Sequence, residues 1–416
     1  MKQRRRTKKK KKRIVRIPWI HKVPMDYNLL FSLIFLIVFG IIMIYSASYY
    51  NASQVYGIAG YSFAVQQARA AAIGIVGMLL ISMIDYHVWE KLSFLGFPIS
   101  FLLILLLKTP LGSESHEATR WLQIGPINFQ VAEPVKLLMI LFLAAFIKKY
   151  PVRHLPNILR VGFCSLLISG MIFVISDNMS TAIIIMGISI LLIFLSHPNM
   201  KYFVMAAGIL LAVIVVAVIG IELFMDGSSG GFRVTRILAW LHPTDPAYAS
   251  GVALQASQAL YAIGSGGFWG RGLGQSLIKF KMPEPHNDFI LAIIAEELGA
   301  FGVLLLFFLF IYLLYRLYHI AQSAMDLYGR LIVAGVFCQI AIQVVLNVAV
   351  VTSVIPTTGV TLPFISYGGA SICFLLAEFG LVFSVDKYSR DQEIKRRARR
   401  KIERQWENEL GGNYDT

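Results

Sequence analysis

The chain has 416 residues, 57% of them hydrophobic and 15% charged, with a mean hydropathy of +0.67 and a net charge of +15. A soluble protein of this length could not hide that much apolar surface, so the composition excludes the soluble globular class and indicates an integral membrane protein. Most of the net charge lies at the two ends of the chain, so it does not describe the segment between them.

Ten apolar runs are each long enough to cross a bilayer, which takes roughly 20 helical residues. The predicted spans lie near residues 27–48, 64–84, 92–108, 132–148, 158–175, 179–196, 202–225, 288–316, 328–352 and 368–386. The predicted fold is an all-α polytopic membrane protein in which residues 27–386 form one ten-helix domain. Residues 1–26 and 387–416 are predicted to be basic tails, and a long outer loop at 226–287 joins helices 7 and 8.

The basic residues set the predicted orientation of these spans. The tails KQRRRTKKKKKR and KRRARRKIER, and the Lys and Arg residues of the short loops, all fall on one side of the membrane. Because such residues gather on the cytoplasmic side, we predict that both termini are cytoplasmic, which requires an even number of spans. The tails are predicted to attract anionic lipid or to dock a cytoplasmic partner. Nucleic acid is not a predicted partner, since no aromatic-interleaved basic fold accompanies the tails.

The opposite face carries three longer loops, near residues 109–131, 226–287 and 353–367. In the second loop, the run ALQASQALYAIGSGG has the spacing of an amphipathic helix, which we expect to be re-entrant or to lie on the membrane interface. The glycines at 264–274 lack the preceding strand and the Lys-Ser/Thr ending of a phosphate loop. They are therefore predicted to serve turns and close packing, and an ATP site is not predicted.

Cationic residues lie on this predicted outer face, against the usual distribution of positive charge. Glu133 and Lys136 are three residues apart, so they can pair on one face of a helix. An arginine fork binds two phosphate oxygens at once, so the set predicts an anionic ligand at the outer leaflet, with snorkelling or structural ion pairs as the alternatives. The cationic set comprises Arg69, Arg120, Lys136, Arg233, Arg236, Arg271 and Lys279.

The stretch MPEPHNDFILAIIAEELG at 282–299 places acids directly before and inside an apolar helix, where carboxylates are costly and indicate a functional site. Asn287 and Asp288 fall where the N-cap and first turn of this helix are expected, so capping is one interpretation of both residues. Glu296 and Glu297 lie two to three turns further on, where capping cannot explain them. They predict burial against a cation or a polar cavity.

Two motifs in the second half of the chain are recognisable. The run PEPHNDFILAIIAEELG resembles P-E-x-H-T-D-F-I-x-A-x-x-x-E-E-L-G, and IPTTGVTLPFISYGGAS at 355–371 resembles L-P-x-T-G-x-x-L-P-F-x-S-Y-G-G-x-S. Both are motifs of the SEDS family, named for shape, elongation, division and sporulation, and the resemblance covers nearly all of residues 27–386. The run GLGQS that ends the glycine-rich segment is more similar to the division and sporulation members than to the elongation member.

The resemblance implies a peptidoglycan glycosyltransferase with ten transmembrane helices in the bacterial cytoplasmic membrane. Such a protein polymerises lipid II, the undecaprenyl-diphosphate-linked disaccharide-pentapeptide, into β-1,4 glycan strands on the outer face during septal wall synthesis. The implied partners are lipid II, the growing lipid-linked glycan, a class B penicillin-binding protein and other membrane proteins of the divisome. The alternatives are an elongation-type polymerase, a lipid-linked precursor flippase or transporter, and a scaffold that only activates a penicillin-binding protein.

The resemblance also implies roles for individual residues. It places the essential acid on Asp288, which we predict to be the general base on the acceptor hydroxyl. The residues predicted to bind substrate are Arg69, Arg120, Trp121, Glu133, Lys136, Arg233, Arg271 and His286. The residues predicted to support the site are Glu284, Glu296 and Glu297. A divalent cation, Mg²⁺ or Mn²⁺, could also stabilise the negative charge of the diphosphate, and the sequence does not identify its ligands.

Three positions depart from the family pattern. Asn287 replaces the usual Thr, and Val131 stands where the family often has Pro. In the segment where the family reads P-D-x-G-T, Asn178 occupies the acidic position. Asp177 lies one residue earlier, and a shift of one residue on a helix turns the side chain by about 100°.

Overall fold

A computed structural model describes residues 25–115, 118–125, 127–197, 201, 231–242 and 252–411. Within these ranges the chain is mainly helical. The helices are α1 (Tyr27–Tyr50), α2 (Ser62–Met83), α3 (Tyr86–Leu92), α4 (Gly96–Leu106), α5 (Ala132–Lys149), α6 (Leu155–Ile175), α7 (Met179–Ser196), α8 (Gly231–Leu241), α9 (Val252–Gly266), α10 (Ile290–Ser323), α11 (Leu327–Val351) and α12 (Ala370–Gly411).

The predicted spans coincide with helices throughout the described ranges, and the predicted span at 202–225 lies outside them. Seven helical stretches of the described part are long and apolar enough to cross a bilayer. The helices α5 and α12 occupy two further predicted spans. The prediction of an all-α polytopic membrane fold is confirmed for this part of the chain.

The third span begins earlier than predicted. The helix starts at Tyr86 rather than near residue 92, because Asp85 caps it by accepting a hydrogen bond from the backbone amide of His87 at 3.0 Å. The charges that obscured this start in the sequence are paired across the bundle. Glu90 lies 2.7 Å from the Nζ of Lys148 at the end of α5.

The two ends of the described chain lie at the same end of the helix bundle. Asp26, which caps α1, forms ion pairs with Arg316 near the end of α10 and with Arg390 on α12, the latter at 2.9 Å. We refer to this end of the bundle as the tail end and to the other as the Asp288 end.

A small antiparallel sheet, absent from our sequence predictions, lies in the first loop at the Asp288 end. Its strands are β1 (Gly112–Ser115), β2 (Ala118–Ile124) and β3 (Ile127–Gln130), in the order β1-β2-β3. Trp121 on β2 faces Gln130 on β3, and Gly125, with φ of 61°, makes the turn between these strands. The strands are too short for an alternating pattern to stand out, which is why the sequence predicted only a loop.

The helix α10 is broken at Gly299, whose φ of 67° is not helical. The backbone amides of Arg271 and Gly272 donate to the freed carbonyls of Glu296 and Glu297, each at 2.9 Å. The glycine-rich segment 267–272 therefore fills the break and satisfies its backbone groups, as the interior of a membrane protein requires.

The glycines around this break serve close packing, as predicted. A Cβ on Gly266, at the end of α9, would lie 1.9 Å from the carbonyl oxygen of Ala295 on α10. Gly270 has a φ of 77°, and a Cβ there would lie 2.2 Å from the carbonyl oxygen of Glu297. Only glycine allows this approach, so the predicted helix in the long loop is confirmed as α9 and packs directly on α10.

Candidate active site

Asp288 lies two residues before α10, and its side chain does not cap that helix. The N-cap is Phe289, which makes no side-chain hydrogen bond at the cap. Instead, Nδ2 of Asn347 on α11 donates to the backbone carbonyl of Asp288 at 2.9 Å. Within the described ranges, no donor bonds to the Asp288 carboxylate and no cation lies within ion-pair distance of it. The capping interpretation is therefore wrong, and the carboxylate is available for chemistry.

The environment of Asp288 favours a carboxyl group that takes up a proton near neutral pH. Burial raises the pKa of Asp288 from 3.8 to about 6, although one side of the residue keeps contact with solvent. The positive charges of Arg236 and Arg120 lower the pKa, and the negative charge of Glu284 raises it. The carboxylate is mostly ionised at pH 7, and its affinity for a proton is higher than that of an exposed aspartate.

Arg120 reaches this site from strand β2, as the sequence predicted. Its Nε donates to the carbonyl of Ser176 at 3.3 Å, and its Nη2 donates to the carbonyl of Asp177 at 2.9 Å. Both acceptors are neutral backbone groups, so the contacts orient the guanidinium without neutralising it. Burial lowers the pKa of Arg120, which nevertheless remains charged at neutral pH.

Arg236 is the second guanidinium near Asp288, and our list of substrate-binding residues omitted it. It lies on α8, and its Nη1 donates to the carbonyl of Thr357 at 3.1 Å. The Nε1 of Trp240 also anchors α8, by donating to the carbonyl of Ser353 at 2.8 Å. The signal in the sequence was the Arg233–Arg236 spacing, from which we chose Arg233. The side chain of Arg233 lies outside the described part.

The departure at residue 178 has a local explanation. Asn178 is the N-cap of α7, and its Oδ1 accepts a hydrogen bond from the backbone amide of Thr181 at 3.0 Å. Asn and Asp cap helices about equally well, so the amide performs the same structural task as the family's acid. Asp177 adopts a left-handed conformation, with φ of 48°, in the turn whose carbonyl receives Arg120.

His286 and Glu284 form the wall of the site next to α2. The ring of His286 is buried between Phe63 and Tyr367, at centroid distances of 4.5 Å and 5.6 Å. Burial lowers the pKa of His286 to about 4, so it is neutral at pH 7. Glu284 accepts hydrogen bonds from Nδ2 of Asn287 at 2.8 Å and from the hydroxyl of Tyr56 at 3.1 Å. Substrate contact by His286 stays a prediction.

Glu296 and Glu297 belong to a separate cluster inside α10. Glu297 accepts hydrogen bonds from Oγ of Ser46 at 2.6 and 2.7 Å and forms an ion pair with Lys279 at 3.2 Å. Glu296 accepts hydrogen bonds from the hydroxyl of Ser276 and from two backbone amides, and Nη1 of Arg271 lies 3.8 Å from its Oε1. The predicted burial against a cation is confirmed for Glu297, and both acids hold the segment 270–280 against α10.

Glu133 and Lys136 pair as predicted, at 3.0 Å, but they lie inside the bundle. Neither is among the charged groups that act on Asp288. A third ionisable residue, Glu378 on α12, lies near this pair and is 1% exposed; it accepts hydrogen bonds from Nε2 of Gln339 at 2.9 and 3.1 Å. An acid within the apolar run of α12 was the signal that sequence reasoning missed.

Arg69 is exposed on α2, two residues after Gln67, whose amide bonds to the backbone at Ser366 and Gly368. Contact between Arg69 and a lipid diphosphate stays a prediction. Trp121 is partly exposed on β2, directly after Arg120.

The predicted divalent cation finds no cluster of three ligands around Asp288 in the described part of the chain. The cluster that satisfies this geometry there, His87, Glu90 and Asp326, lies at the tail end. Nζ of Lys148 lies 2.7 Å from Glu90 and 3.3 Å from Asp326, so these carboxylates already form ion pairs with an ammonium group. The described residues therefore form no three-ligand metal cluster at Asp288; a divalent cation stays a prediction, and we assign no step to one.

Comparison with solved structures shows the fold of the chain. A chain of the structure described as "Structural coordination of polymerization and crosslinking by a peptidoglycan synthase complex" superposes with a TM-score of 0.72 at 24% identity, covering 88% of this chain and 99% of that chain. The rod shape determining protein RodA of Thermus thermophilus superposes with a TM-score of 0.62 at 24% identity, covering 88% and 97%.

Comparison of sequences identifies the family. The chain is 37% identical over 377 residues to stage V sporulation protein E of Bacillus subtilis, covering 89% of this chain and 99% of that protein. It is 35% identical over 379 residues to the probable peptidoglycan glycosyltransferase FtsW of the same organism, covering 89% and 93%. The model of the FtsW/RodA/SpoVE cell cycle proteins matches residues 27–391. The chain therefore belongs to the FtsW/RodA/SpoVE family of cell cycle proteins.

Proposed function

We propose that this protein is a peptidoglycan glycosyltransferase that polymerises lipid II on the outer face of the bacterial cytoplasmic membrane. Membership of the family and the relatives named as glycosyltransferases support this activity. The observation that carries the mechanism is the Asp288 carboxylate, which has no bonded partner in the described part of the chain and lies near two guanidinium groups.

Asp288 acts as the general base. The hydroxyl oxygen of the acceptor sugar forms a bond to the anomeric carbon of the donor, and the hydroxyl proton passes to the Asp288 carboxylate. The bond between that carbon and the diphosphate oxygen breaks, and its electron pair leaves with the diphosphate. A pKa of about 6 makes the carboxylate a stronger base than an exposed aspartate while leaving it ionised at pH 7.

Arg120 and Arg236 serve the departing diphosphate. Arg120 is held by the backbone carbonyls of Ser176 and Asp177, and Arg236 donates to the carbonyl of Thr357. Positive charge that is already in place costs no reorganisation when negative charge develops on the leaving group. A single displacement inverts the anomeric centre, so an α-linked donor yields the β-1,4 strand with one carboxylate.

A lipid flippase is the second candidate, and one observation favours it. Transporters use discontinuous helices with ionisable groups at membrane depth, and α10 is broken beside the buried Glu296 and Glu297. In this protein the break is filled by segment 267–272, and its carboxylates are already paired, which leaves no open site there. The available carboxylate is Asp288, outside the span, where surface chemistry takes place.

The proposed partners follow from the family. A class B penicillin-binding protein would cross-link the strands that this protein polymerises, and the structural relative described as a peptidoglycan synthase complex supports this pairing. We assign the protein to septal synthesis, within the divisome, because FtsW proteins of several organisms and the sporulation protein of Bacillus subtilis are its relatives. An elongation-type role is the alternative.

Reconstitution tests the activity directly. The purified protein is placed in liposomes, with and without its penicillin-binding partner, and given labelled lipid II. We expect glycan strands from the wild type and none from Asp288→Asn, with both proteins equally inserted and folded. Strand synthesis at the wild-type rate by Asp288→Asn would contradict the assignment of the base, and movement of lipid II across the bilayer without strands would favour the flippase.

A further inference from the structure

The loop that follows α11 has three of its carbonyl groups held by side chains from three different helices. Arg236 on α8 donates to the carbonyl of Thr357 at 3.1 Å, and the hydroxyl of Ser180 on α7 donates to the carbonyl of Thr358. Nδ2 of Asn347 on α11 donates to the carbonyl of Val360 at 2.7 Å. These contacts fix the peptide planes of the loop.

The fixed carbonyls determine where the amides point. The described chain contains no cis peptide, and in a trans peptide the N–H points opposite to the preceding carbonyl. The amides of Thr358, Gly359 and Thr361 are therefore turned away from the side chains that hold the loop. Within the described ranges, none of these three amides donates a hydrogen bond.

The side chains of the loop are also short of partners. The hydroxyl oxygens of Thr357 and Thr358 are buried and make no hydrogen bond with the described residues. A buried hydroxyl without a partner costs about 1–3 kcal/mol, which a ligand or a water bound at this loop would recover. Gly359, which directly follows the two threonines, has a φ of 71°, the left-handed conformation that lets neighbouring amides form an anion-binding nest.

The loop lies directly against the reacting groups. A Cβ on Gly359 would stand 3.3 Å from Oδ2 of Asp288, and the same Asn347 amide that holds Val360 also holds the carbonyl of Asp288. Arg236 brings a positive charge to the same loop. An anion bound by these amides would therefore lie beside the base, on the face of the loop opposite the side chains that hold it.

We propose that residues 357–361 bind the diphosphate of the lipid-linked donor through the amides of Thr358, Gly359 and Thr361 and the hydroxyls of the two threonines. This inference rests on the proposed function, because it assigns the leaving group of that reaction to a place. Neutral sugar groups are a poorer match, since preorganised N–H donors favour negative charge. Two features favour glycine at position 359: the left-handed backbone conformation, and the closeness of the Asp288 carboxylate, which leaves little space for a side chain.

The test measures binding of undecaprenyl diphosphate to the full-length protein in nanodiscs, by competition with a labelled lipid diphosphate. Ser180→Ala frees the Thr358 peptide, and Thr358→Val removes one hydroxyl at nearly constant volume. We expect each variant to bind about tenfold more weakly, the loss of one charge-assisted hydrogen bond. The neutral lipid undecaprenol should bind all proteins equally, and the pH dependence set by Asp288 should not move.

The matched control is Ser189→Ala, also on α7, whose buried hydroxyl donates only to the carbonyl of Ile185 in its own helix at 2.8 Å. It should bind undecaprenyl diphosphate as the wild type does. Unchanged binding in both Ser180→Ala and Thr358→Val would overturn the proposal, as would equal displacement by phosphatidylglycerol vesicles, which would identify a bilayer phosphate instead. Binding that depends on Ser180, in a protein that makes no glycan, would uphold the anion site and overturn the proposed function.

Discussion

Two sets of carboxylates lie within ten residues of each other in one motif, and they have opposite environments. Asp288 stands before α10, with two guanidinium groups near it but none within ion-pair distance in the described ranges. Glu297 lies inside the same helix and is satisfied by Ser46 and by the ammonium group of Lys279. A carboxylate at a membrane costs free energy in both places, but of these two acids only Asp288 has unbonded oxygens in the described ranges.

The bonding of the oxygens distinguishes a carboxylate that is available for chemistry from one that holds the structure together. A carboxylate whose oxygens are all bonded gains nothing from taking up a proton, because the proton would displace an existing partner. A carboxylate that is desolvated and merely near cations gains a proton readily and loses it again. Both carboxylates are buried, so burial does not distinguish them. The availability of the carboxylate oxygens does.

The largest expected effect is on turnover. Asp288→Asn should lower the rate of glycan synthesis by about 10²–10⁴-fold, because it removes the general base. The same change should raise the thermal stability in detergent at pH 8 and leave it unchanged near pH 3. The folded-state pKa of about 6 exceeds the ordinary value of 3.8, so ionisation destabilises the wild type progressively as the pH rises between these two values, and fully above pH 6. A loss of stability at pH 8 would contradict the proposed environment of Asp288.

A loss of stability, rather than a gain, is expected when the carboxylate of Glu297 is neutralised. Glu297→Gln should lower the unfolding free energy by about 3–5 kcal/mol, because it leaves the buried ammonium group of Lys279 without its counter-charge. Adding Lys279→Met should recover much of the loss. Denaturation in detergent measures both variants, and a Glu297→Gln protein as stable as the wild type would erase the contrast between the two sites.

The charges around Asp288 predict that two substitutions shift the acid limb of the pH–rate profile in opposite directions. Arg236→Gln removes a charge that lowers the pKa of Asp288, so the acid limb of kcat/KM against pH should move to higher pH. Glu284→Gln removes a charge that raises this pKa, so the limb should move to lower pH. Rates of glycan synthesis between pH 5 and 8 provide the measurement. Shifts in the same direction would show that the limb belongs to another group.

The smallest effect is expected at the helix cap beside the site. Asn178→Ala should destabilise the protein by about 1 kcal/mol, since it removes the acceptor for the Thr181 amide. Asn178→Asp should change stability by less than about 0.5 kcal/mol and leave glycan synthesis intact, because the acid caps equally well. A large gain in activity from Asn178→Asp would instead give the family's acid a chemical role.

Apolar length was sufficient to predict the long helices within the described ranges, because a bilayer demands long apolar helices whatever their neighbours are. The resemblance to family motifs singled out Asp288 and Arg120 as candidates, and the structure brings these two residues near each other. The sheet at 112–130 was not predicted, because its strands are short. Glu378 was overlooked although an acid in an apolar run was visible in the sequence.

The sequence by itself determined the membrane class, the helices and the acids that needed explanation. Only the tertiary structure decided which acid keeps its carboxylate oxygens unbonded among the described residues, because that depends on atoms that are distant along the chain. Lys279 and Ser46 satisfy Glu297, whereas the residues folded around Asp288 orient its backbone and leave its carboxylate open. The contact of Arg236 with the folded loop at 353–361 is of the same kind, since the position of this arginine in the sequence does not say which carbonyl it will meet.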